Sequence, residues 1–182
     1  MKQMLRMAAV CIGLLLVIAL PVSATEYGAP EITPKTTMKQ LRENPSIKGS
    51  GLYTYVYIWE RDCDLLRHSK DNDTMEQVIG TESVNSCVAG MNYLIETYNA
   101  GTQITYKLFS PEEIAQDASR DRAELYYFPA EQPGAKYAVV LSGNALFYSG
   151  EMRGGVSTAW ELHQQGYAGV ARRDRIGLDA TD

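Results

Sequence analysis

The stretch from Lys136 to Gly177 constrains the fold more than any other part of this 182-residue chain. Tyr137-Ala138-Val139-Val140-Leu141 is an unbroken apolar run, bounded upstream by the Gln132-Pro133-Gly134 turn. A short run without alternation reads as a strand buried on both faces, as in a parallel sheet. It feeds a glycine-bearing loop from Ser142 to Gly150. A helix is expected from about Val156 to Gln165, because Val156, Ala159, Trp160 and His163 share one helical face. Gly166-Tyr167 then opens another strand. Strand, loop, helix and strand make one βαβ unit, which places the chain in the α/β class.

The loop after the apolar run is where chemistry is expected. Small residues at the carboxyl end of a parallel strand let the backbone approach a ligand. Amides there point into the crevice where α/β proteins bind substrates. A plain βα turn asks for the same glycine, so spacing alone does not separate the two.

Upstream, the pattern is mixed. Ile104–Phe109 and Ala123–Phe128 are strand candidates, and Pro111-Glu112-Glu113 starts a short helix or turn. Val84–Asn99 reads as a helix with Cys87, Met91, Leu94 and Tyr98 on one face and Gly101 as its stop. Thr25–Lys48 is weakly periodic, and the expectation is a mobile leader with one short helix around Thr37–Glu43. In Gly51–Glu60, Leu52, Thr54, Val56 and Ile58 alternate with Tyr53, Tyr55, Tyr57 and Trp59, as in a strand. That aromatic face suits either packing in a core or stacking on sugar rings. Asp71-Asn72-Asp73 resembles the start of a calcium loop. Met75 replaces an oxygen ligand, however, and Glu76 stands where glycine is required, so a helix cap is expected instead.

The amino terminus has the form of a signal peptide. Lys2 and Arg6 precede an uncharged apolar run from Met7 to Leu20, Pro21 breaks it, and Val22-Ser23-Ala24 offers a cleavage site. The run is too short to cross about 30 Å of hydrocarbon as a helix, so no stable membrane span is expected after cleavage near Ala24. The protein is therefore expected to be secreted or periplasmic. Export makes a disulfide between Cys63 and Cys87 the expected state, with two buried thiols as the alternative. Closing that loop contributes about 3.5 kcal/mol on chain-entropy grounds. Basic residues number 17 and acidic ones 22, with no basic run, which argues against a nucleic-acid partner. No metal ligands stand at suitable spacing, and no cofactor is implied.

The segments "KYAVVLSGNALFYSG" and "AWELHQQGYAGVARRDRIG" resemble the first part of an α/β-hydrolase, in the secreted bacterial esterase branch that includes feruloyl- and acetyl-esterase-like proteins. That family carries a glycine-rich oxyanion loop after a central strand. A helix with an Ala-x-x-Leu-x-x-x-Gly-Tyr pattern follows, then a strand ending near an arginine. Ala159, Leu162, Gly166, Tyr167 and Arg175 stand in register with it, and the likeness covers about a quarter of the chain. The resemblance implies a sheet ordered 1-2-4-3-5 and ester hydrolysis of a small ester or acylated carbohydrate. It makes Gly143, Asn144 and Ala145 the oxyanion-loop candidates.

The chain departs from the family in three places. Gly143-Asn144-Ala145 replaces a triple glycine. The strand after Tyr167 reads Gly169-Val170-Ala171-Arg172-Arg173-Asp174, which would bury charge in the middle of a sheet. No Gly-x-Ser-x-Gly nucleophile elbow occurs in the 182 residues. Neither Ser142 nor Ser149 has an identifiable base, His163 reads as a packed helix residue, and His68 sits among charges. The expectation is thus an incomplete α/β-hydrolase-type sheet with flanking helices, preceded by a signal peptide and a mixed segment. Its parts are 1–24 (signal peptide), 25–101 (extension) and 102–182 (the first part of a hydrolase domain). Such a fragment would be inactive alone and would self-associate through the exposed edge of Tyr137–Leu141. The rival reading is a non-catalytic exported binding protein that works through the tyrosine-rich strand and the 61–101 helical segment.

Overall fold

Short capped helices come first among the residues that the computed structural model describes, 32–52, 69–141 and 151–173. Helix α1 (Met38–Glu43) starts at a capping box: the Thr37 hydroxyl accepts from the Gln40 amide, and the Gln40 side chain accepts from the Thr37 amide. Helix α2 (Pro45–Ser50) follows at once, with Asn44 accepting from the amides of Ser46 and Ile47 and Pro45 in the first turn. Helix α3 (Met75–Ile79) repeats the box with Thr74 and Gln77. The two boxes are tied together, because the Met38 amide donates to Asp73 and the Met75 amide to Thr36.

These contacts correct two expectations. From Ile32 onward the supposed mobile leader is folded, with Ile32, Met38, Leu41 and Ile47 buried in the core. The cap of α3 is Thr74, while Asp73 accepts from the Lys70 amide inside the preceding turn. The tyrosine-rich stretch from Tyr53 onward lies outside the described residues.

Helix α4 (Val84–Asn99) spans the residues its periodicity marks, and Cys87, Met91 and Leu94 are fully buried. Gly101, at φ +88°, follows its end. The strands are β1 (Thr105–Lys107), β2 (Glu124–Phe128), β3 (Tyr137–Leu141) and β4 (Ala168–Arg173). They form one sheet ordered β1-β2-β4-β3. β2 is antiparallel to both β1 and β4, whereas β3 and β4 are parallel. Helix α5 (Pro111–Gln116), opened by a Ser110–Glu113 capping box, and a short 3-10 turn connect β1 to β2. Among the described residues the architecture is α/β: mixed helices on a four-stranded mixed sheet. A single hydrophobic core draws on both sides of Gly101, from Ile32 through Ile95 and from Ile104 through Ala171.

Between β3 and β4 the helix begins earlier than its amphipathic face suggests. Glu151–Val156 forms a π-helical turn, and α6 (Ser157–Gln164) continues from it. The turn buries Met152 and Val156. Arg153 reaches back to cap α3, donating from Nε to the Ile79 carbonyl at 2.9 Å and from Nη2 to the Val78 carbonyl at 3.0 Å.

Helices α4 and α6 cover one face of the sheet, burying Tyr126, Phe128 and Ala171. Among the described residues, no element covers the opposite face. On β3, Val140 packs toward the core, but Tyr137, Val139 and Leu141 are 74%, 53% and 64% exposed. The expectation of two-sided burial is therefore corrected: among the described residues, β3 is an edge strand with one covered face. Of the charge expected inside β4, Arg172 is exposed on the face away from the helices, whereas the Arg173 side chain and Asp174 lie outside the described residues.

Gly169 explains the unusual composition of β4. A Cβ there would lie 2.9 Å from the Ala159 carbonyl oxygen and 3.3 Å from Phe128 Cβ. Helix α6 sits so close to the strand that only glycine fits. Gly169→Ala should destabilise the fold by roughly 1–3 kcal/mol through overpacking, although alanine suits a strand no worse than glycine. Urea unfolding checks this, and unchanged stability would contradict the close approach.

Candidate functional site

The parallel pair sets the site's place. β3 ends at Leu141 beside Arg172 of β4, so both strands send their following segments out of the same end of the sheet. The oxyanion-loop candidates Gly143, Asn144 and Ala145 lie outside the described residues, as do Ser142, Ser149, Arg175 and His68. What the structure does show is the frame around them, from Leu141 to the π-helical turn at Glu151.

Charged side chains meet at this same end. Lys107, closing β1, is in register with Glu124, opening β2, and Glu124 is in register with Arg173. The Lys107 ammonium pairs with the Glu124 carboxylate, lies 3.2 Å from Asp121 Oδ1 and donates to the Asp121 carbonyl at 2.7 Å. The buried Tyr126 hydroxyl donates to Glu124 Oε2 at 2.7 Å. The Glu124 side chain is only 5% exposed. Burial pulls the Lys107 pKa down, but the hydrogen bond and charge of Glu124, then those of Asp121, outweigh it and leave it raised. Sequence reasoning missed this cluster. Its one signal was a glutamate opening an otherwise apolar strand.

His163 sits elsewhere. It packs among Tyr93, Trp160 and Phe128, with ring centroids 4.4, 5.4 and 6.4 Å away, and is 6% exposed. Phe128 pairs with Gly169, near the start of β4, so His163 lies toward the opposite end of the sheet from Leu141. Its Nδ1 has no hydrogen-bond partner among the described residues. Burial lowers its pKa, against smaller opposing influences from Glu131 and the Tyr167 backbone. The packed role expected from its helical face is the one it has, away from the end of β3 at Leu141.

Cys87 is a free thiol among the described residues, and burial pushes its pKa up to about 12 against a weaker hydrogen bond from Ser157. Such a thiol is a poor nucleophile. Cys63 lies outside the described residues. No cluster of three potential metal ligands occurs among the described residues, and none of their helices is long and apolar enough to cross a membrane. A cavity of about 350 Å³ opens between the ends of α2 and α4, lined by uncharged residues including Gly49, Ser50, Tyr98 and Gln103. Compared with known proteins, the chain matches no family model, no curated protein and no solved structure.

The environment of His163 has a consequence for stability. The folded state resists protonating this ring, whereas the unfolded chain protonates it near the ordinary value of 6.5. Its contribution is therefore complete above that pH and is lost as pH falls below it. Tm should drop between about pH 7.5 and about pH 5, and His163→Phe should flatten part of that drop. Equal slopes in the wild type and His163→Phe would refute the buried neutral imidazole.

Proposed function

We propose that this chain is an exported, esterase-like member of the α/β-hydrolase superfamily. It carries the oxyanion-loop part of the machinery but no nucleophile elbow. The observation that supports the reading best is the strand order β1-β2-β4-β3, with β2 antiparallel and a helix returning from β3 to a parallel β4. That is the opening order the family resemblance implies. On this reading, amides of Asn144 and Ala145 stabilise the oxyanion of a tetrahedral intermediate, and Gly143 gives their loop its freedom. The substrate class is a small carboxylic ester or an acylated carbohydrate. Secretion, a Cys63–Cys87 disulfide and self-association through the exposed edge of Tyr137–Leu141 belong to the same reading.

An acyl-transfer site needs nucleophile, base, orienting acid and oxyanion donors together. The 182-residue chain alone should therefore not hydrolyse nitrophenyl acetate. The protein isolated from its own source should do so if its intact mass shows further residues beyond Asp182, and Asn144→Pro should then reduce kcat by about 10²-fold or more. Turnover by the 182-residue chain that survives Asn144→Pro would remove the assignment of the loop.

A second reading, a non-catalytic binding protein, draws on the cavity at Gly49, Ser50, Tyr98 and Gln103. Its uncharged hydroxyl, amide and aromatic lining suits a neutral hydroxyl-rich ligand such as a sugar. Retention on plant polysaccharide that is abolished by Tyr98→Ala, with no esterase activity in any native form, would favour this reading over the esterase.

A further inference from the structure

We infer that His163 is an acid-sensitive latch on α6: the neutral ring holds the last turn of the helix against α4 and β2, and the protonated ring leaves that position for the solvent beside Glu131. Within Glu161–Gln164, His163 is the buried residue, while Leu162 is half-buried and Glu161 and Gln164 are exposed. The hold of this turn on the core therefore passes through one titratable ring. That ring stacks on Trp160 of its own helix with 29° between the planes, and it meets Tyr93 of α4 at 39° and Phe128 of β2 at 43°.

This cage suits one protonation state. Nδ1 has no hydrogen-bond partner among the described residues, so the cation would carry a buried N–H with nothing to receive it. Contact with ring faces attracts a cation, but it replaces only part of the lost hydration. Burial prevails and holds the pKa below its ordinary value.

Few charged groups face the ring. From α4, Tyr93 is neutral in this range and its hydroxyl donates to the Pro129 carbonyl. From β2, Phe128 brings no charge. On α6 itself, Glu161 accepts from the Ser86 hydroxyl. Glu131, exposed just beyond β2, is the carboxylate that favours the imidazolium, and the Tyr167 backbone favours it too. Neither outweighs burial while the ring is inside. Outside, the imidazolium keeps its water, stays within reach of Glu131 and stands at a helix carboxyl end, where a cation is favoured. The acid state thus has its own stable position, and the movement involves one turn, with α4 and the sheet left folded. The inference does not depend on the esterase reading.

Hydrogen exchange from about pH 7.5 to about pH 5, corrected for the intrinsic pH dependence of exchange, tests it. The amides of Gln165, Gly166 and Tyr167, which donate to the Leu162 and His163 carbonyls, should lose protection by up to about tenfold per unit of pH below the ordinary histidine value, while mid-α4 amides keep theirs. In a Trp59→Phe background, Trp160 emission should shift reversibly to longer wavelength over the same range, with an unchanged far-ultraviolet circular dichroism spectrum. Glu131→Gln should move that transition to lower pH, and His163→Phe should abolish it. Protection and emission that stay constant down to about pH 5 in the folded protein would overturn the inference. So would a transition that survives His163→Phe, or a loss of protection that spreads to α4 and the sheet together, since that is global unfolding rather than release of one turn.

Discussion

The position of α6 depends on two glycines, one on each side of it. A Cβ on Gly169 of β4 would meet the Ala159 carbonyl at 2.9 Å, and one on Gly90 of α4 would meet Trp160 Cβ and Val156 Cγ1 at 3.0 Å. The helix is thus held between strand and helix at separations that leave no room for a side chain. Packing this tight maximises dispersion contacts and excludes water from the Phe128–Ala171 layer. It also fixes where the π-helical turn ends, and so where Arg153 can reach back to the end of α3. The amino-terminal half is also tied to the sheet directly, where the Thr105 hydroxyl of β1 donates to the Ser50 carbonyl and Tyr93 of α4 stacks on Phe128.

The same arrangement separates the polar groups of the chain. His163, carried on the last turns of α6, is drawn into an aromatic cluster beside Phe128. Lys107 and Glu124 are held at the other end of the sheet, next to the carboxyl ends of the parallel strands. The imidazole on α6 thus lies toward the opposite end of the sheet from Leu141. The Glu124–Lys107–Tyr126 cluster, by contrast, ties the first two strands together at the Leu141 end.

Most of the elements were legible because their signals are local. The face of α4 at Cys87, Met91 and Leu94, the βαβ unit after Lys136 and the packed histidine all follow from periodicity. Helix α2 was missed, although Asn44-Pro45 is a cap followed by a first-turn proline. The weak hydrophobic pattern over Thr25–Lys48 hid buried residues that are brought together only by the paired capping boxes. Gly169 looked like a flaw in a strand because its reason, the Ala159 carbonyl, lies on another element. The charge of Arg172 seemed buried because the sequence does not say which face of β4 is covered. The candidate loop itself was marked by the end of an apolar strand, and the cluster at Glu124 depended on a register that no local pattern encodes.

The mismatch at β3 is informative. Five consecutive apolar residues are the composition of a strand covered on both faces, because a half-solvated strand gains nothing from apolar residues on its wet side. The structure supplies one cover, from α6, and leaves the other face of Tyr137, Val139 and Leu141 to water. Each of those side chains would gain free energy, on the order of 25 cal/mol per Å², from a second layer. The sequence of the strand and the geometry of the sheet therefore agree on a structure with one more layer than the described elements provide.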